Sequence, residues 1–110
     1  MRLNPKPFEM IKNGKKNIEL RLYDTKRQLI NIGDEIEFTE LSDPARRICC
    51  KVLELHIFSS FKELYATLPL LKCGYTENDI STASPSDMEL YYTPEQQQEH
   101  GVVGIELELL

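Results

Sequence analysis

Arg46-Arg47-Ile48-Cys49-Cys50-Lys51-Val52-Leu53-Glu54-Leu55-His56-Ile57-Phe58 is the longest apolar stretch of the chain, and its parity changes partway along. Ile48, Cys50 and Val52 share one face of an extended strand, whereas from Leu53 onward Leu55 and Ile57 keep the other. Side chains alternate along a strand with period two, so a change of parity marks an inserted residue. Such a bulge bends the strand, and long bent strands are how small barrels turn their corners. The stretch therefore predicts one long, bulged strand in a small barrel.

Downstream of it, Ser59 or Ser60 is placed to cap a helix carrying Phe61, Leu64, Tyr65 and Leu68 on one face. Gly74 ends a second short turn, and Tyr75 to Ser86 is polar and reads as the principal irregular loop. Met88 to His100 has helical character broken at Thr93-Pro94, where threonine caps and proline takes the first helical position. Gly101 stops that helix, and Val103, Ile105, Leu107 and Leu109 alternate with Glu106 and Glu108 in a final strand. Upstream, Leu41-Ser42-Asp43-Pro44 separates the long strand from one opened by Gly33-Asp34, with Ile36 and Phe38 inward and Glu35 and Glu37 outward. Asp24 to Gln28 is a turn or single helical turn. Another strand is expected at about Lys16 to Tyr23, preceded by a helix with Pro5 and Pro7 at its front and Gly14 behind. Helices are thus predicted near residues 6–13, 60–68 and 86–100, around a mixed, mainly antiparallel barrel of roughly five or six strands.

With 110 residues, 41% of them hydrophobic, the chain has material for one core, so a single domain over residues 1–110 is expected. No apolar run approaches the roughly 18 residues of a membrane helix, and no apolar segment of a signal peptide opens the chain, which predicts a cytoplasmic protein. Cys49, Cys50 and Cys73 make neither an even set nor a C-x-x-C pair, in keeping with a reducing compartment. His56 and His100 lack ligand spacing, so neither a metal nor another cofactor is expected. The net charge of −5 is unevenly spread: residues 1–30 hold eight cations against three carboxylates, the remainder five against fifteen. A basic third joined to an acidic remainder suits an anion held locally, a nucleotide or short single strand rather than a long duplex.

The basic third contains Gly14-Lys15-Lys16-Asn17-Ile18-Glu19-Leu20-Arg21, a glycine turn followed by charges alternating with aliphatics. Ile18, Leu20 and Leu22 share the parity of a core face, leaving Asn17, Glu19, Arg21 and Tyr23 on the other. That polar face is either a solvated strand face with an ion pair or the base of a ligand site. Lys16 has the parity of the aliphatics and is expected at the barrel mouth, where a desolvated lysine serves as a base and an exposed one as a phosphate counter-ion. Glu19 and Arg21, two apart, are spaced to pair. Strict parity separates Lys16 from Glu19, so their cooperation requires a bulge or a Lys16 that precedes the strand.

This octet resembles the G-x-K-x-x-E-x-R motif of the ASCH domain family, relatives of the PUA RNA-binding fold, with Gly14, Lys16, Glu19 and Arg21 in place. Pro7 to Asn13 is similar to the family's leading helix, and Ile32 to Phe38 to its G-D-x-I-x-F strand. Tyr91 to Gln96 and Gly101 to Ile105 resemble the closing helix and strand of small bacterial members, so the likeness spans nearly the whole chain. It implies an α+β, PUA-like (ASCH) β-barrel with helices packed at its ends. It also implies an RNA or nucleotide cleft built on Lys16, Glu19 and Arg21, with Lys15 adding charge and Tyr23 beside it.

Some small family members look like amidohydrolases of N4-acetylcytidine, using a lysine, a threonine three residues later and a distal glutamate. Here Lys16 matches the lysine, but Glu19 stands at the threonine position, and only Glu77 or Glu89 is available as the distal carboxylate. A carboxylate is not a hydroxyl nucleophile, though Glu19 has the chemistry of a general base. Other members resemble ribonucleases or RNA-binding modules. Tyr23, Tyr75, Tyr91 and Tyr92 lie near element ends, placed either to stack on bases or to sit half-buried with their hydroxyls in water.

Overall fold

The computed structural model describes all 110 residues. The long strand forms as one element, β4 (Arg47–Phe58), with its register slipping between Val52 and Glu54 against β5 (Val102–Leu109). Beyond the slip Leu55 lies opposite Ile105 and packs on the same core as Cys50 and Val52, so the change of parity is a real bulge. Antiparallel pairing extends from β4 to β3 (Glu35–Glu40) and from β5 to β2 (Ile18–Leu22). A two-residue strand, β1 (Arg2–Leu3), lies parallel to β3. The sheet order is β1-β3-β4-β5-β2.

The sheet is curled into a half-barrel rather than closed. Its terminal strands β1 and β2 share no backbone pairing. Instead the Arg21 guanidinium reaches across this seam, donating from Nη2 to the carbonyl of Arg2 at 2.9 Å. The expected mixed, mainly antiparallel barrel of five or six strands is thus present with five strands, as a half-barrel. Its last edge-to-edge link is a side chain.

Helix α1 (Pro5–Lys12) contributes Phe8 and Ile11 to a first core with Leu3, Phe38, Val52 and Ile105. Helix α2 (Phe61–Thr67), capped by Ser60 accepting from the Glu63 amide, brings Phe61 and Leu64 to a second core with Ile18, Leu20, Leu22 and Val102. Both faces of β2 and β5 are therefore covered. The aliphatics of β2 face α2, while Glu19 and Arg21 stand opposite Ile105 and Val103 on the first-core side. Ile18, Leu20 and Leu22 face a core as their parity predicts, and it is the second core, against α2. Helix α3 (Pro94–His100) is held by a Thr93–Gln96 capping box and buries none of its residues. The region from 86 to 100 is not one helix: a 3-10 segment at Pro85–Leu90 precedes α3, with the break at Thr93 where it was expected. No helix is long and apolar enough to cross a membrane.

At the β3–β4 corner, Glu40 continues the inward parity of Ile36 and Phe38 and is buried. Ser42 and Arg46 satisfy it, the latter at 2.7 Å, and Arg46 also pairs with Glu9 while lying 5.0 Å above the Phe8 ring. This charged cluster ties α1 to the hairpin.

Candidate functional site

The residues after α1 turn sharply. Gly14 takes a positive φ of 80°, and the amides of Lys15 and Lys16 both donate to the Met10 carbonyl, at 2.9 and 3.0 Å. Lys16 therefore precedes β2 and is freed from its alternation. Its ammonium meets Glu19 Oε1 at 2.7 Å, while Arg21 Nε donates to Glu19 Oε2 at 2.8 Å. Lys16 is 8% exposed and Glu19 4%, so the three charges form a desolvated network. Burial alone pushes the Glu19 carboxyl up, but the Lys16 and Arg21 charges and their hydrogen bonds outweigh it and hold it below the ordinary 4.5. Glycine at position 74, with φ of 110°, leaves the room: a Cβ there stands 3.3 Å from Lys16 Cδ.

The network floors a cleft of about 440 Å3 beside the seam. Arg2 and Lys6 lie at its rim, and Tyr65, Tyr75, Tyr91 and Tyr92 along its walls. The walls are hydrogen-bonded in series. Tyr75 Oη donates to Asp87 Oδ2 at 2.7 Å and lies 2.7 Å from the Tyr65 hydroxyl. Asp87 is oriented by the backbone amide of Ser84, which donates to the same oxygen at 3.1 Å. Burial first, then these bonds, push the Tyr75 hydroxyl far above its ordinary titration range, so it remains a donor. Tyr92 stacks on Phe61 with ring centroids 6.2 Å apart, fixing that wall to the second core. Tyr91 and Leu90 are largely exposed at the margin.

The structure thus brings together Lys16, Glu19 and Arg21, and adds Tyr75, Tyr91 and Tyr92 around them. It does not bring Lys15, which is exposed outside the cleft, nor Tyr23, half-buried against the first core. Glu77 and Glu89 are exposed and line no part of it. The carboxylate that lines it besides Glu19 is Asp87, legible only as the last member of Ser84-Pro85-Ser86-Asp87, an S-x-x-D capping box. Arg2, Lys6 and Tyr65 were also missed as cleft residues; the first two belong to the basic third, the sole signal for them. His56 pairs with Glu106 at 3.0 Å on a strand face, and His100 sits at the end of α3. No three His, Cys, Asp or Glu side chains converge as a metal site.

A curled, mixed five-stranded sheet with helices packed around it and a short helix between its first two strands is a PUA-like fold. The ASCH domain model matches residues 1–110, and the chain belongs to the ASCH domain family. Among solved structures, the hypothetical protein PH0355 is similar at 31% identity with a TM-score of 0.79, over 100% of this chain and 96% of that one. Protein PF0455 from Pyrococcus furiosus is similar at 27% identity and TM-score 0.68, over 100% and 98% respectively. No curated protein matches the chain.

Proposed function

We propose that the cleft binds a nucleotide unit, free or within single-stranded RNA. The observation that carries this reading is the Lys16–Glu19–Arg21 network, buried yet lining an open cleft. An ammonium has three donors, and Glu19 is the one side-chain acceptor Lys16 engages. The remaining donors are available to a base carbonyl or ring nitrogen. Asp87 Oδ2 is occupied by Tyr75 and Ser84, whereas Oδ1 has no partner and is free to accept from an exocyclic amine. Cytosine, with acceptors beside an amine donor, matches this pair. Tyrosine rings supply stacking surface, and Arg2 and Lys6 supply charge for phosphate.

Hydrolysis of an N4-acetylcytidine-like nucleoside, or of RNA, is the second reading, favoured by a nearly buried lysine in a ligand-sized cleft. In it Lys16 is the reacting group and Glu19 orients it. Glu19 itself is a poor general base, because both its oxygens are engaged and its lowered pKa leaves it little affinity for a proton.

Titration with short RNAs and incubation with N4-acetylcytidine, followed by chromatography, separate the two. Salt-sensitive binding without product supports the binding reading. Turnover that disappears in Lys16→Ala supports the enzyme, and a protein that neither binds nor changes either ligand overturns both.

A further inference from the structure

On the other side of the seam lies a second groove, of about 830 Å3. Arg2, Arg21 and Leu41 border both concavities, so the two are neighbours, with the Arg21–Arg2 contact between residues they share. The second groove adds Lys26 and Arg27 from the β2–β3 connection. Arg2 and Lys26 have no carboxylate within salt-bridge distance, and Arg27 is only partly satisfied: Nη1 binds Asp24 at 3.0 Å while its buried Nε has no partner. The opposing carboxylates are Glu35 and Glu37, the latter already facing Arg47. The Met1 ammonium stands in the same groove and its pKa is lowered, first by burial and then by Arg21, with Arg27 and Lys26 contributing and Glu37 opposing. Arg2 and Lys26 thus stand in the groove without a carboxylate partner and Arg27 keeps an unpartnered buried Nε, whereas Arg21 is already paired with Glu19.

We infer that this groove is a phosphate track: the protein takes a single-stranded polynucleotide, one base in the Tyr-walled cleft and the adjoining phosphodiesters along Arg2, Arg21, Lys26 and Arg27. The inference rests on the nucleotide reading of the cleft and names its substrate as a strand rather than a free nucleoside. A single nucleotide has one phosphate cluster to offer, and the rim cations Arg2 and Lys6 suffice for it. Lys26 and Arg27 lie outside the cleft, beyond the seam, where only a continuing chain brings charge. The acidic remainder of the molecule repels polyanions elsewhere, which confines the strand to this path.

The test compares cytidine monophosphate with an oligocytidylate of about five nucleotides, the low end of single-strand site sizes, over a range of salt. The wild-type protein should hold the oligomer roughly tenfold tighter or better. In Lys26→Ala/Arg27→Gln that advantage should vanish, with mononucleotide affinity unchanged. The slope of log affinity against log salt should become shallower by about 1.4, at roughly 0.7 per phosphate contact in a single strand. Lys26→Ala alone, an exposed and unpaired position, should show half the slope change and controls for any misfolding of the double variant. Equal affinity of the wild type for monomer and oligomer, or variants that keep the oligomer advantage and slope, overturns the track while leaving the cleft reading intact. Failure of the wild type to bind either probe overturns the cleft reading, and the track with it.

Discussion

Glu19 is the residue on which the floor of the cleft depends. Replacing it by Gln keeps its shape but leaves Lys16 and Arg21 desolvated without a counter-charge, and breaking a buried ion network in this way costs about 3 kcal/mol. Urea denaturation of Glu19→Gln should show that loss. Acid gives a second readout. The folded carboxyl titrates below the ordinary 4.5, because Lys16 and Arg21 overcome the burial that alone raises it. The unfolded chain therefore takes up the proton first, so Glu19's contribution is complete above about pH 4.5 and is lost as pH falls through the folded value. Glu19→Gln should flatten the acid limb of the stability profile, and an unaltered limb together with unaltered stability contradicts the network. All three network residues were legible in the sequence. The position of Lys16 was not, because a carbonyl accepting from two successive amides, Met10 to Lys15 and Lys16, leaves no periodic trace.

The walls of the cleft belong to the element scale, and there the sequence offered Tyr75, Tyr91 and Tyr92 as stacking candidates but not Tyr65, Asp87 or the turns that hold them. Tyr65 comes from α2, but Tyr75, Asp87, Tyr91 and Tyr92 lie in a segment of short 3-10 turns, whose order derives from caps and side-chain hydrogen bonds rather than from apolar spacing. Where spacing or a capping residue is strong, as in α1, α2, α3 and β5, the elements were foreseeable from residues alone. Two-residue β1 was not, since its place depends on pairing with β3, 36 or more residues away in sequence. The capping box at Ser84 suggests a direct check on the wall. Ser84→Ala removes the hydroxyl that accepts from the Ser86 amide at 3.3 Å, and cap losses of this kind cost about 1 kcal/mol. Asp87 is held by the same turn, so the variant should weaken ligand binding several-fold while leaving the sheet intact. Unchanged affinity in a mildly destabilised protein means that the turn does not position Asp87.

At the scale of the molecule, the open seam is what makes the half-barrel a binding body. A closed barrel of this size fills its interior with side chains, whereas an open curl keeps an accessible edge beside its core. Here that edge holds the buried charges, and the uneven spread of cations points the molecule's positive side toward it. Arg21 serves both the floor and the seam, its Nε on Glu19 and its Nη2 on the Arg2 carbonyl. The planar fork is needed for this, since one ammonium on a flexible stem does not span two acceptors in fixed directions. Arg21→Lys should preserve charge, keep a contact with Glu19 and release β1. The effect should concentrate where β1 meets β3: the amides of Thr39 and Leu41, which donate to the Met1 and Leu3 carbonyls at 2.9 and 2.8 Å, should exchange with solvent about tenfold faster, as expected for losing a charge-assisted bond of about 1.4 kcal/mol. Amides of the β4–β5 pairing away from Arg21, between Cys50–Leu109 and Glu54–Glu106, should keep their protection if the damage is local. Acceleration shared equally by β1–β3 and β4–β5 indicates global destabilisation, and no acceleration at Thr39 and Leu41 indicates that β1 is held by its backbone pairing and the Leu3 side chain alone. Either outcome removes Arg21 as the clasp of the curl.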